Sequence, residues 1–262
     1  MTKSLKPWRR RALLAGSAGA IAAWVFAAPR LGSLWPRQLV YRELDGLAPF
    51  RELAGAGAIS SANNLVLGFD VAKTPEPETA ARLAAIRADP CVALFGHAND
   101  LRVPVAFFSD FNCPNCRVLE EILTDYQTAN PGVLRLVRFE LPLLGTASTT
   151  ASKAVLTADR QGAYAEMHDR LMRNRMVSDL NLVQAMADGL GLDGPQLIAD
   201  MQRPEIDAAL DQARALADVF GFYGTPGMVI GRTVFLGAIP AADVARIISD
   251  ERALPPLPCQ LA

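Results

Sequence analysis

The sequence predicts an α/β fold in which a mixed sheet is flanked by helices and interrupted by a helical insertion. Three stretches carry this reading. Val103 to Leu123, VPVAFFSDFNCPNCRVLEEIL, passes from an apolar, aromatic and β-branched run, through a tight turn at Ser109 to Asn112, into a helical stripe of Val118, Leu119, Ile122 and Leu123. Val133 to Leu141, VLRLVRFEL, alternates apolar and charged residues as a half-buried strand does. Met228-Val229-Ile230 and Thr233 to Leu236 flank Gly231-Arg232, the pattern of a β-hairpin.

The elements follow in order. Residues 1–28 read as a signal or membrane anchor: a basic segment ending in Arg9-Arg10-Arg11 precedes the uncharged stretch Ala12 to Ala28. That stretch is at the short edge of a membrane span, and Arg10-Arg11-Ala12-Leu13-Leu14 resembles a twin-arginine export signal. Residues 1–40 hold seven bases and no acid, leaving −8 for the rest of a chain whose net charge is −1. The body therefore has no basic patch for nucleic acid. Residues 29–90 read as a linker and small lead-in: Tyr41 to Leu53 has no clean period, Leu65 to Val71 is a candidate strand, and Glu76 to Ala88 a helix.

Residues 91–262 read as the main domain. The strand at Val133 is expected to lie parallel to the strand at Val103, joined through the cysteine-bearing helix. The insertion, at about residues 146–221, comprises helices over Ala147 to Asp159, Tyr164 to Met172, Leu180 to Leu190, Pro195 to Met201 and Pro204 to Phe220, with Ser178 opening the third and Gly191 closing it. Ala241 to Ile248 forms the last helix. Met167, Met172, Met176, Met186 and Met201 fit amphipathic faces better than a soft-metal site, and are expected in the core. His97 and His168 are expected at the surface.

The chemistry lies at Cys113-Pro114-Asn115-Cys116. Pro114 suits the first helical position, which places Cys113 at the helix start beside unpaired N–H groups and the positive end of the dipole. Both favour the thiolate and bring its pKa into the range of about 3.5–7.5. Cys116, almost one turn further on, is close enough to bond to it, so one sulfur attacks and the other resolves. A zinc site would need a second ligand pair, which is missing, and haem attachment would need His where Arg117 stands.

Strand, Cys-Pro-x-Cys, helix, and a later Gly224-Thr225-Pro226-Gly227 before Met228-Val229-Ile230 resemble the DsbA-like branch of the thioredoxin superfamily, over about Val103 to Asp250. The resemblance implies a thioredoxin fold, with a cis bond before Pro226 that faces the redox pair, and Thr225-Pro226 presenting backbone to an unfolded client. Two departures stand out. Many such enzymes carry a buried acid six residues before the first cysteine, where this chain has Phe107; Asp110 is the nearest candidate proton carrier. Asn115 replaces the His of the well-known strong oxidant, so Pro114 and Asn115 should tune the disulfide to be less oxidising.

Cys91 and Cys259 either pair, stay as free thiols, or relay electrons with the active pair. A bridge would tie the Pro-rich tail and the lead-in to the body.

The expected function is thiol–disulfide exchange in the periplasm of a Gram-negative bacterium, oxidising cysteine pairs in secreted clients. The protein would be soluble after export or tethered to the inner membrane, with a membrane redox partner to reset the pair. No cofactor or metal is needed, since the sulfurs carry the electrons. The alternatives are a reductase or isomerase, for which residues 38–90 are the candidate dimerisation region, and a copper- or zinc-carrying thiol protein. An inert interaction module fits poorly, because both cysteines of the pair are present.

Overall fold

The computed structural model describes residues 38–55, 57–60, 76–174 and 176–261. The signal or anchor at 1–28, most of the linker and the strand expected at Leu65 to Val71 lie outside these residues. A compact unit spans Val40–Ala262.

The fold is built on β3 (Val103–Ser109), every residue of which is buried. It leads through the turn into α3 (Pro114–Ala129), which returns the chain to β4 (Leu134–Glu140), parallel to β3 from Val103 opposite Leu134 to Ser109 opposite Glu140. On the other side of β3 lies the hairpin of β5 (Gly227–Ile230) and β6 (Thr233–Leu236), antiparallel to β3 through β5. The four strands that the sequence predicts within the described residues are therefore present, with the expected parallel pairing of β3 and β4.

Two further strands were not legible in the sequence. Tyr41 to Leu53 forms β1 (Tyr41–Glu43) and β2 (Arg51–Leu53), which extend the sheet to the order β1-β2-β6-β5-β3-β4. Three-residue strands are too short to show a period. Glu251 fastens them: its buried carboxylate accepts from Arg51 at 3.0 Å, Arg232 at 3.1 Å and the Thr233 hydroxyl at 3.0 Å. Because Glu251 belongs to the closing helix α9 (Ala241–Arg252), one carboxylate joins β2, β6 and α9.

One core packs Ala106, Phe108 and Val229 of the sheet against helices α1 (Pro77–Ala88), α2 (Pro90–Phe95) and α8 (Pro204–Val219). Phe108 stacks on Phe139 at 4.7 Å and meets Phe222 at 5.1 Å. Alternate β3 residues Val105 and Phe107 point to the opposite face, where Arg138 of β4 pairs with Glu120 of α3.

The insertion consists of α4 (Thr146–Asp159), α5 (Tyr164–Arg173), α6 (Leu180–Asp188), α7 (Gly194–Asp200) and α8. The cap of α6 is Asp179, accepting from Asn181 N–H, rather than Ser178. Four of the five methionines enter its core; Met176 does not, being 66 % exposed at φ 56°. His168 is also corrected: it is buried, 1 % exposed, with its ring 5.6 Å from Tyr164 and 5.3 Å from Phe111. His97 is exposed, as expected. Among the described residues no helix is long and apolar enough to cross a membrane.

Cys91 of α2 is disulfide-bonded to Cys259, in a 3-10 turn at Pro258–Gln260. Beside the bridge, the Gln260 amide donates to the carbonyls of Asp100 and Arg102, at 2.8 Å each, so the tail is sewn to the approach to β3.

Candidate redox site

The turn after β3 is held from within by Asp110. Its buried carboxylate accepts from the backbone N–H groups of Asn112 at 2.7 Å, Leu143 at 2.8 Å and Leu144 at 3.0 Å, and from the Ser148 hydroxyl at 2.7 Å. Four donors fill the acceptor capacity of a carboxylate, so Asp110 clamps the turn to the loop after β4 and to α4. Asn112 extends the clamp, donating to Ser148 Oγ at 3.0 Å and accepting from Met176 N–H at 2.8 Å. Phe111 enters the core of the insertion. Arg117 donates to the carbonyls of Phe111, Met172 and Asn174, tying the first turn of α3 to the end of α5.

This scaffold sets Cys113 as the N-cap of α3, with Pro114 in the first turn. Its sulfur accepts the Cys116 N–H at 3.1 Å and lies 3.5 Å from the Thr225 carbonyl, to which it donates when protonated. The Thr225–Pro226 peptide bond is cis. Cys113, Cys116 and Thr225 are all fully buried, and both thiols are free.

The two sulfurs are driven apart. The Cys113 pKa falls to about 6: a hydrogen bond from the Cys116 thiol contributes most, burial opposes it, and the Ser60 and Thr225 side chains and the Cys116 N–H add to it. Cys116 is pushed well above its ordinary value by burial, then by the hydrogen bond it gives Cys113 and the nearby charge. At neutral pH the pair is one thiolate and one thiol. That is the distribution a nucleophile and a resolving thiol require.

Asn115 meets no charged partner in the described hydrogen bonds; its amide donates to Ser60 Oγ at 3.3 Å. Ser60, to which the sequence offers no pointer, exchanges backbone hydrogen bonds with Thr225 at 2.8 and 2.9 Å. At the end of β4, Glu140 is fully buried, its pKa raised to about 8 by that burial, and it accepts from the Tyr164 hydroxyl at 2.5 Å. Burial, and then the charge of Arg138, lower the pKa of His168 to about 3. Of Glu140, Tyr164 and His168 the sequence points only to His168, and as a surface residue, because the contacts that bury it join distant segments. Among the described residues no group of three or more His, Cys, Asp or Glu side chains is placed to hold a metal ion.

Comparison with known proteins agrees with this geometry. Residues 104–249 match the family described as the DSBA-like thioredoxin domain. A thioredoxin-like oxidoreductase from Silicibacter pomeroyi DSS-3 is 31 % identical, with a TM-score of 0.57, covering 63 % of this chain and 99 % of its own. The thiol-disulfide exchange protein alpha-DsbA2 from Wolbachia pipientis, 19 % identical, has a TM-score of 0.55 and covers 68 % of this chain and 99 % of its own. The catalytic domain of Proteus mirabilis ScsC, 24 % identical, has a TM-score of 0.55 over 66 % of this chain and 98 % of its own. A search of curated proteins finds no match. With the family matched across more than half of the chain and its cysteine pair seated at the start of the helix after the central strand, the protein belongs to the DSBA-like thioredoxin-domain family and is a thiol–disulfide oxidoreductase.

Proposed function

We propose that the chain is exported to the periplasm, soluble or tethered through residues 1–28, and there oxidises cysteine pairs in secreted proteins. The observation that carries the chemistry is the seating of Cys113 as the N-cap of α3, where its sulfur accepts the Cys116 N–H at 3.1 Å and Cys116 lies buried beside it. In the oxidised enzyme a client thiolate attacks Cys113, forming a mixed disulfide and releasing Cys116 as the thiolate. A second client thiolate then attacks the client sulfur and releases Cys113, whose low pKa makes it the better leaving group. The client leaves with a disulfide, and the enzyme leaves with two thiols for a membrane redox partner to reoxidise. The backbone of Thr225-Pro226 holds the client strand during both steps. Cys91 and Cys259 serve as a structural bridge.

A second reading, reductase or isomerase, draws on Asn115, which pairs with a neutral hydroxyl and brings no positive charge to the thiolate. The reduction potential decides between them. Equilibrating the protein in glutathione buffers and mapping trapped thiols at Cys113 and Cys116 should give a value near or above about −150 mV for a disulfide donor. A value below about −230 mV would sink the oxidase reading.

A further inference from the structure

Residues 57–60 lie across the site as an extended segment. Gly57 N–H donates to the Leu236 carbonyl at 3.0 Å, and Ala238 N–H to the Ala58 carbonyl at 3.0 Å. Two residues on, Ser60 and Thr225 form an antiparallel bridge in which each donates its N–H to the other's carbonyl, at 2.8 and 2.9 Å. Asn115, between the two cysteines, donates to Ser60 Oγ at 3.3 Å. Beneath this segment Thr225 and Pro226 are buried, and Cys113 has no exposed surface.

We propose that residues 57–60 are an internal pseudosubstrate: they occupy the backbone edge at Thr225 that a client strand takes, and Ser60 lies where the client presents its cysteine. The inference rests on the reading of Thr225-Pro226 as the client's backbone site. Thr225 has one N–H and one C=O with which to form an antiparallel bridge, and Ser60 engages both. The two strands therefore exclude one another, and a client pairs only after Ser60 withdraws. A serine hydroxyl forms no disulfide, so the occupant covers the sulfur without reacting with it. The fraction of molecules in which the segment is withdrawn divides the apparent affinity for the client.

Glycine makes the seat. A Cβ on Gly57 would come 2.0 Å from the Ala238 carbonyl oxygen, and one on Gly237, at φ +96°, would come 2.4 Å from the Gly57 carbonyl carbon. Gly57→Ala therefore unseats the segment without altering Cys113, Cys116, Thr225 or Ser60.

The test compares the full-length wild type with Gly57→Ala and Ser60→Ala, using the oxidised protein and an extended peptide bearing two cysteines. Gly57→Ala should lower KM for the peptide about fivefold or more, the effect of losing roughly one backbone hydrogen bond on an equilibrium, and, because Ser60 is one of the groups that lower the Cys113 pKa, should move the glutathione potential towards more reducing values. Ser60→Ala keeps both backbone bonds but removes a hydroxyl that lowers the Cys113 pKa, so it should raise the pH midpoint of Cys113 alkylation without the fall in KM expected of Gly57→Ala. An unchanged KM in a Gly57→Ala protein that oxidises the peptide normally overturns the pseudosubstrate while leaving the client site intact. A wild type and variant that both cycle with glutathione yet never oxidise the peptide remove the client reading itself, and this inference with it.

A trapping variant gives an answer even if Gly57→Ala fails to fold. In Ser60→Cys with Cys116→Ser, oxidised glutathione should accept two electrons and two protons from the thiols at position 60 and Cys113, yielding two glutathiones and one internal disulfide seen by mass spectrometry. Recovery of only glutathionylated protein overturns the proposed placement of Ser60.

Discussion

Lowering the pH through 6 should switch off the nucleophile, and the size of the effect follows from the site. Cys113 shifts from an ordinary 9.0 to about 6, and at 1.36 kcal/mol per unit this corresponds to about 4 kcal/mol of preference for the thiolate in the folded protein. Between pH 6 and 9 the folded chain has lost this proton while the unfolded chain still binds it, so stability rises with pH across that window. The contribution is complete above 9, declines as pH falls towards 6, and is gone below it. The oxidised protein has no thiolate to stabilise. The reduced form should therefore gain about 4 kcal/mol over the oxidised form between pH 6 and 9, read as a widening gap between their denaturation midpoints. Iodoacetamide should alkylate Cys113 with a midpoint near pH 6, and Cys116 should not react in the same range. A midpoint between 8 and 9, with a gap flat in pH, would refute the assignment of the thiolate to the hydrogen bonds around this sulfur.

Two further perturbations address the scaffold. Asp110→Asn puts an amide NH2 group against backbone N–H donors that the carboxylate now accepts, and should cost about 3 kcal/mol, or roughly 10 °C in Tm; a change under about 2 °C would show that the turn holds without the clamp. Cys259→Ser opens a bridge between residues 168 apart in sequence; chain entropy puts its contribution at about 5 kcal/mol as an upper figure. Thermal denaturation should fall accordingly while the Cys113–Cys116 potential stays unchanged, and a shifted potential would instead support electron relay between the two pairs.

Phe107, at the position where the family resemblance implies a buried acid, is fully buried in β3 and brings no carboxylate to the site. The nearby Asp110 is fully engaged in hydrogen bonds from Asn112, Leu143, Leu144 and Ser148. Its role is to shape the turn that presents Cys113, and the hydrogen bonds of the first helical turn and the Ser60 segment then set the thiolate.

The sequence by itself determined the strand, turn and helix that carry Cys113 and Cys116, because these depend on neighbours within a few residues: an apolar run, a proline at the first helical position, a stripe at helical spacing. The β5–β6 hairpin was legible for the same reason, with its two-residue turn between apolar runs. What only the tertiary structure decided involves residues far apart in the chain. β1 and β2 exist through pairing with β6 and the Glu251 ion pairs, not through any period of their own. His168 has polar neighbours in sequence but is buried because α5 turns the face that carries Tyr164 and His168 towards Phe111. Met176 sits outside the insertion core in a left-handed backbone conformation that no helical stripe predicts. Ser60 reaches the active cysteine only because the sheet brings residues 57–60 alongside Leu236 and Thr225. Local pattern records which surfaces a segment must bury; which distant segment buries them depends on the packing of the whole chain.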